Sequence, residues 1–262
     1  MSLKLKYPEF GQYLLETGDL DPVYIMLTKA ELDRRTLCKW LLAYWCFYSC
    51  DLACQVAEAE DYWPAMFAAS QPGQPRGMER RHFRGEKSIK AVRWLASHYD
   101  EAEAAVEWLI YPYPKHAITL ENVVERVVTW PMFGPWIGWK ITDMLERVMR
   151  VPIAFDDYED FVIDEVLKSI ELIEPGASTR DLMERLEREF SGYPAPPWHE
   201  RSVNCQEVET IMCKFKAHCH GHYPPGKDTV EVGHSLKAYP GSLSNRLLAT
   251  LPEYVPYDKE TL

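Results

Sequence analysis

The chain has 262 residues, 47% of them apolar, and a formal net charge of −11. That length and apolar content fit one large or two small packed domains and exclude a disordered chain. The negative balance argues against a protein that coats nucleic acid non-specifically, while leaving room for a local basic face.

In chain order, Met1–Lys6 lacks the continuous apolar stretch of a secretory signal. The first expected helix covers 8–16. Thr28, Lys29, Ala30 and Glu31 have the pattern of a capping box, in which hydroxyl and carboxylate satisfy free N–H groups reciprocally. Leu37, Trp40, Leu41, Tyr44, Trp45 and Tyr48 then recur at helical spacing, which predicts a helix from about 29 to 58. Cys46, Cys50 and Cys54 fall on one stripe of it and read as core. Its most apolar run, Trp40 to Cys50, is 11 residues, short of the roughly 20 that a bilayer requires. No membrane partner is expected. The Pro/Gly-rich stretches 70–79 and 191–200 read as breaks. Further helices are expected at 87–98, 101–110, 120–129, 138–149, 158–172, 179–190, 205–217 and 243–250. No alternating run is long enough for a strand. The expected fold class is all-α.

Residues 76–93 hold seven Lys or Arg against two Glu. Arg76, Arg80, Arg81 and Arg84 precede the helix, beside Gly77 and Gly85. Arginine forks bind phosphate in bidentate fashion, so this loop is a candidate anion site; a solvated surface run is the plainer alternative. The seven cysteines are an odd number without disulfide-framework spacing and suit a reducing cytoplasm. Cys205, Cys213, His218, Cys219, His220 and His222 are of zinc-ligating type but lack the usual close Cys pair. No metal site is assigned to them.

The most informative stretch runs from Trp130 through Pro131, Met132, Phe133, Gly134, Pro135, Trp136, Ile137, Gly138 and Trp139 to Lys140. A turn on Gly134, Pro135 and Gly138 lets backbone approach a partner closely, and the following helix points its first N–H groups outward. Such N–H groups hold phosphate, and phosphate contacts position a protein on nucleic acid without reading sequence. Asp156 stands 20 residues after Trp136 and opens the acidic run Asp156, Asp157, Tyr158, Glu159, Asp160. Carboxylates there suit a helix N-terminus and also offer oxygen ligands to Mg²⁺. A Gly-Pro turn between packed helices, with Asp156 capping the next one, accounts for the same residues.

Pro131, Gly134 and Pro135, with Trp136 at the Lys/Trp position and Asp156 downstream, resemble the helix–hairpin–helix element and catalytic carboxylate of the DNA glycosylase superfamily. Two departures stand out. Met132 replaces the first glycine of the hairpin, and no lysine occupies the nucleophile position, which speaks against a Schiff-base lyase. Together with Arg80–Gly85 and the stretch Asn204–Lys216, the pattern is similar to one branch of that superfamily, the bacteriophage amino acid:DNA transferases related to the alpha-glutamyl/putrescinyl thymine pyrophosphorylases.

This resemblance implies a helix–hairpin–helix lobe at 100–175 and a second helical lobe from 1–99 with 176–262, together forming one transferase unit. It implies transfer of an amino acid, such as glycine or serine, to the 5-methylene carbon of pyrophosphorylated 5-hydroxymethyl-deoxyuridine in DNA, with loss of pyrophosphate, in the host cytoplasm. Asp156 and Asp157 would then be catalytic. Gly134, Pro135, Trp136, Gly138 and Lys140 would grip DNA around a flipped base. Arg80, Arg81 and Arg84 would hold pyrophosphate. A base-excision glycosylase and a non-catalytic helix–hairpin–helix DNA-binding module are the alternatives.

Overall fold

The computed structural model describes residues 7–73, 86–111, 118–156, 158–161 and 164–257. In chain order these form α1 (Tyr7–Thr17), α2 (Pro22–Lys29), α3 (Arg34–Phe47), α4 (Cys50–Glu58), α5 (Tyr62–Ser70), α6 (Glu86–His98), α7 (Ala102–Ile110), β1 (Ile118–Thr119), α8 (Leu120–Val127), α9 (Pro135–Arg147), β2 (Ile153–Ala154), a 3₁₀ turn (Tyr158–Phe161), α10 (Asp164–Ile173), α11 (Thr179–Phe190), α12 (Cys205–Cys219), α13 (Lys227–Ala238) and α14 (Ser242–Thr250). The class is all-α. The two strands are two residues each and pair in parallel, Ile118 opposite Ile153. Among the described residues no helix is long and apolar enough to cross a membrane.

The helix expected at 29–58 is instead two helices, and the capping box at Thr28 does not form. Lys29 ends α2, and Glu31 has a left-handed φ of 49°. The cap that starts α3 is Asp33, whose carboxylate accepts from the Thr36 N–H at 3.0 Å. The chain breaks again at Tyr48, which takes a left-handed φ of 50°. Its ring lies 4.7 Å from Tyr44 and 5.4 Å from Trp136. Beyond it, Asp51 joins a local network: its N–H donates to Ser235 Oγ at 3.1 Å, and its carboxylate accepts from the same hydroxyl at 3.0 Å. Packing of the Tyr48 ring and recruitment of Asp51 override the continuous helical period.

The chain divides into two compact units, one of residues 26–154 with 231–250 and the other of 1–25, 155–230 and 251–262. In the first, Trp40 and Trp45 of α3 are buried. Their indole N–H groups donate to Cys54 Sγ at 3.4 Å and Met144 Sδ at 3.2 Å. Cys38, Cys46, Cys50 and Cys54 are all buried, and burial pushes the Cys54 thiol up to about 12. These are inert core thiols.

In the second unit α12 packs against α1, α10 and α11. A buried carboxylate, Asp19, ties residues far apart in sequence. Its Oδ1 accepts from the Thr229 N–H at 2.9 Å and hydroxyl at 2.8 Å, and its Oδ2 from Tyr223 Oη at 2.7 Å and the Gly226 N–H at 2.9 Å. Asp19→Asn puts an amide N–H against one of these donor pairs. It is expected to cost about 2 kcal/mol, the order of a buried polar group left unmatched, read as a shift in the urea unfolding midpoint; an unshifted midpoint would contradict the clasp.

Candidate functional site

The Trp130–Lys140 stretch forms the turn after α8 and the first turns of α9. A capping box starts α8: the Asn122 N–H donates to Thr119 Oγ1 at 3.2 Å, and the Thr119 N–H to Asn122 Oδ1 at 3.3 Å. The turn closes by backbone bonds from Trp130 N–H to Val127 O at 3.0 Å and from Phe133 N–H to Trp130 O at 3.1 Å. Trp130 anchors it. Its indole is 1% exposed, faces Trp108 and Phe133 at 6.1 and 5.2 Å between ring centroids, and donates to Tyr99 Oη at 3.2 Å.

Gly134 caps α9 with Pro135 at its first position, where proline's fixed φ fits and its missing N–H costs nothing. A Cβ placed on Gly134 would meet no atom of the described residues within 4 Å. Gly138 is different: a Cβ there would lie 3.1 Å from Val124 Cγ1 and 3.4 Å from Val124 Cα, so it sets the close approach of α9 to α8. Trp136 is half-buried against Tyr48, Lys140 is half-buried one turn further along, and Pro135 is exposed. Gly134, Pro135, Trp136 and Lys140 therefore share one helix start, whereas Gly138 faces the partner helix.

Met132 has φ +75° and is exposed. The left-handed conformation that a glycine adopts freely is thus kept by a methionine, at a cost of about 1 kcal/mol. Met132→Gly is expected to be more stable than Met132→Ala by about 1 kcal/mol, because alanine retains the strained φ and glycine does not. Chemical denaturation of the two variants measures the difference, and equal midpoints would mean that the turn relaxes.

Asp156 is an exposed turn residue between the buried side chains of Phe155 and Tyr158. It belongs to the unit of residues 155–230, and the hairpin to the unit of 26–154. Asp157, Arg80, Arg81 and Arg84 lie outside the described residues. Among the described residues, no group of three or more His, Cys, Asp or Glu is arranged to hold a metal ion. Cys205 is buried, Cys213 and Cys219 are half-buried, and His218 stacks on Phe10 at 4.9 Å.

Two residues after the exposed Asp156, the chain turns Tyr158 into the protein interior. The Tyr158 ring is 7% exposed, and its hydroxyl has no hydrogen-bond partner among the described residues. Burial, then the charges of Glu187, Cys205, Glu159 and Glu184, push this phenol up to about 12. Ser178 caps α11, which carries Glu184 and Glu187 one turn apart on one face. Burial, then Glu184 and Glu207, raise the Glu187 carboxyl above its ordinary value.

Glu207 on α12 is fully buried. Arg201 grips it through Nη1 to Oε2 at 2.8 Å and Nη2 to Oε1 at 3.1 Å, and it accepts from the Asn204 N–H at 3.0 Å. This cap was readable: Asn204 followed three residues later by Glu207 is a capping-box pattern. The nearness of Glu187 to Glu207 was not, because it depends on the packing of α11 against α12.

The chain matches the protein-family model described as amino acid:DNA transferase over residues 12–223. It is 36% identical over 264 aligned residues to a glycinyltransferase of Pseudomonas phage PaMx11, covering 87% of this chain and 89% of that protein. It is 27% identical over 268 residues to a putrescinyltransferase of Delftia phage PhiW-14, covering 95% and 84%.

Proposed function

This chain belongs to the amino acid:DNA transferase family, and on that premise we propose that it transfers glycine to the 5-methylene carbon of pyrophosphorylated 5-hydroxymethyl-deoxyuridine in duplex DNA, releasing pyrophosphate. The observation that carries the reading is the span of the family match, residues 12–223, which takes in both the hairpin and Asp156. Glycine is chosen over putrescine because the glycinyltransferase relative is the more similar, at 36% against 27% identity.

The amine nitrogen forms a new bond to the methylene carbon. The bond from that carbon to the pyrophosphate oxygen breaks, and its electron pair leaves with pyrophosphate. The surplus proton of the amine passes to a carboxylate, for which Asp156 is exposed and available; Asp157 adjoins it as the second acid. Pyrophosphate departs as a concentrated negative charge, which fixed cations stabilise; Arg80, Arg81, Arg84 and Lys140 are the residues assigned to it. The carbon sits on a base edge, so the reaction calls for a nucleotide turned out of the stack. The start of α9 at Gly134, Pro135 and Trp136 suits a grip on the neighbouring phosphates, with Gly138 keeping α8 and α9 close behind it.

Incubation with pyrophosphorylated duplex DNA tests the reaction class. Pyrophosphate release that depends on added glycine supports transfer. Abasic sites, or release indifferent to glycine, would overturn it in favour of base excision or plain hydrolysis.

A further inference from the structure

A cleft of about 240 Å³ opens between α3, the link from α4 to α5 and the link from α6 to α7, all within the unit of residues 26–154. Its walls are fastened to one another. Tyr62 Oη donates to the Lys39 carbonyl at 3.2 Å, and the Trp63 indole N–H to the Asp100 carbonyl at 2.9 Å. Arg35 Nη2 pairs with Glu101 at 3.3 Å. The cleft therefore keeps its shape without a ligand. Asp100 follows Tyr99, whose hydroxyl accepts from the Trp130 indole, so the cleft and the anchor of the hairpin share one short stretch of chain.

The lining has charges of both signs to spare. Five carboxylates stand against two cations, Arg35 and Lys39, a balance that repels DNA phosphate. Arg35 is engaged by Glu101. Lys39 Nζ makes one hydrogen bond, to the Ala59 carbonyl at 3.3 Å, and lies 5.8 Å from the centre of the Tyr62 ring; an ammonium has three donors. Asp61 starts α5 without a cap bond from its side chain, and neither its carboxylate nor that of Asp100 has an ion pair among the described residues. The carboxylates are not grouped to hold a metal ion, so the cation that suits them is an organic ammonium. Lys39, in the same cleft, calls for a carboxylate.

We infer that this cleft binds the free amino acid as its zwitterion, with the carboxylate on Lys39 and the ammonium on Asp61 and Asp100. A ligand with one charge of each sign satisfies both sets at once. A simple amine or a simple carboxylate matches one set and meets like charge from the other. The cleft is large enough for glycine and a small side chain besides. It gives the protein an affinity for the amino acid before DNA is bound. The inference rests on the transferase reading for the choice of an amino acid among zwitterions, but not for the cleft itself.

Titration of the protein without DNA, followed by NMR of the tryptophan indole N–H groups, reads the site directly. The Trp63 signal is assigned by its loss in Trp63→Phe. Glycine is expected to shift that signal, and methylamine and acetate to bind at least about tenfold more weakly, the scale of a lost charge-assisted contact. Lys39→Met keeps the side-chain stem, and Asp61 and Asp100 are exposed, so Lys39→Met, Asp61→Asn and Asp100→Asn are expected to fold. Each is expected to weaken glycine binding about fivefold, the upper range for a solvent-exposed ion pair. With pyrophosphorylated DNA the glycine KM is expected to rise by the same factor while the KM for DNA holds. No shift with glycine, equal binding of methylamine or acetate, or unchanged glycine affinity in all three variants would overturn the inference. Putrescine binding more tightly than glycine would overturn it in favour of a site for plain polycations. An unchanged glycine KM in variants that bind glycine weakly would overturn the link to transfer. If glycine binds and the variants weaken it, but no pyrophosphate is released, the cleft stands and the proposed reaction fails.

Discussion

Asp156→Asn is expected to lower amino acid transfer by about 10²–10⁴-fold, the range in which positioned proton acceptors contribute, with the protein still folded. The two halves of this expectation come from different observations. Asp156 is an exposed turn residue, and substitutions at such positions usually change stability by no more than about 0.5 kcal/mol. Its place in the reaction comes from chemistry: an amine attacking carbon sheds a proton, and the group that takes it must be an acceptor within reach. Asparagine keeps the size and loses the acceptor charge. The KM for DNA should hold, because the grip on phosphate is assigned to the hairpin. Single-turnover rates with saturating glycine measure the effect, with circular dichroism and thermal melting as the folding control. A rate within threefold of wild type would remove Asp156 from the mechanism.

Trp130→Ala is expected to cost about 3–5 kcal/mol, the range for deleting a large buried aromatic. The indole is 1% exposed, packs with Trp108 and Phe133, and supplies the hydrogen bond to Tyr99. Its main-chain N–H and carbonyl also lie within the two bonds that close the turn. Without the ring, the chain between Val127 and Gly134 loses its anchor and the start of α9 is no longer fixed. DNA affinity should fall together with stability, whereas Asp156→Asn should spare both. Trp130→Phe keeps most of the buried area and is expected to lose less than half as much. Urea unfolding gives the free energies, and a loss below about 1 kcal/mol for the alanine variant would mean that the turn is held by its backbone alone.

Strong periodicity with clear end signals made several elements legible. The helices read at 8–16, 87–98, 101–110, 179–190 and 243–250 correspond to α1, α6, α7, α11 and α14 within a residue or two. The break at Tyr48 was hidden because nothing local marks it: a tyrosine in the left-handed region is held there by rings from Tyr44 and Trp136. The α5 helix was missed because Tyr62 to Phe67 is apolar all round and so has no period, and Pro64 reads as a breaker although it stands in the first turn. The α13 helix was missed because its start is secured by Asp19, about 200 residues earlier in sequence.

For the site, the contrast is the same. Gly134 and Pro135 announce a helix start by their own backbone preferences, and Asp156 follows at a readable interval. Met132 takes a left-handed φ of 75°, a region that glycine adopts freely and that nothing in its own residue type announces. Glu187 and Glu207 come near each other only through the packing of α11 and α12, and no spacing rule connects them.

The central claim is that this protein joins an amino acid to a base in DNA. Its most direct test is mass spectrometry of nucleosides digested from pyrophosphorylated DNA after incubation with the protein and isotopically labelled glycine. The account predicts a new thymidine derivative carrying the glycine label on its 5-methylene carbon, formed with loss of pyrophosphate and absent when Asp156 is replaced by Asn. Recovery of unlabelled 5-hydroxymethyl-deoxyuridine, or of abasic sites in its place, would contradict it.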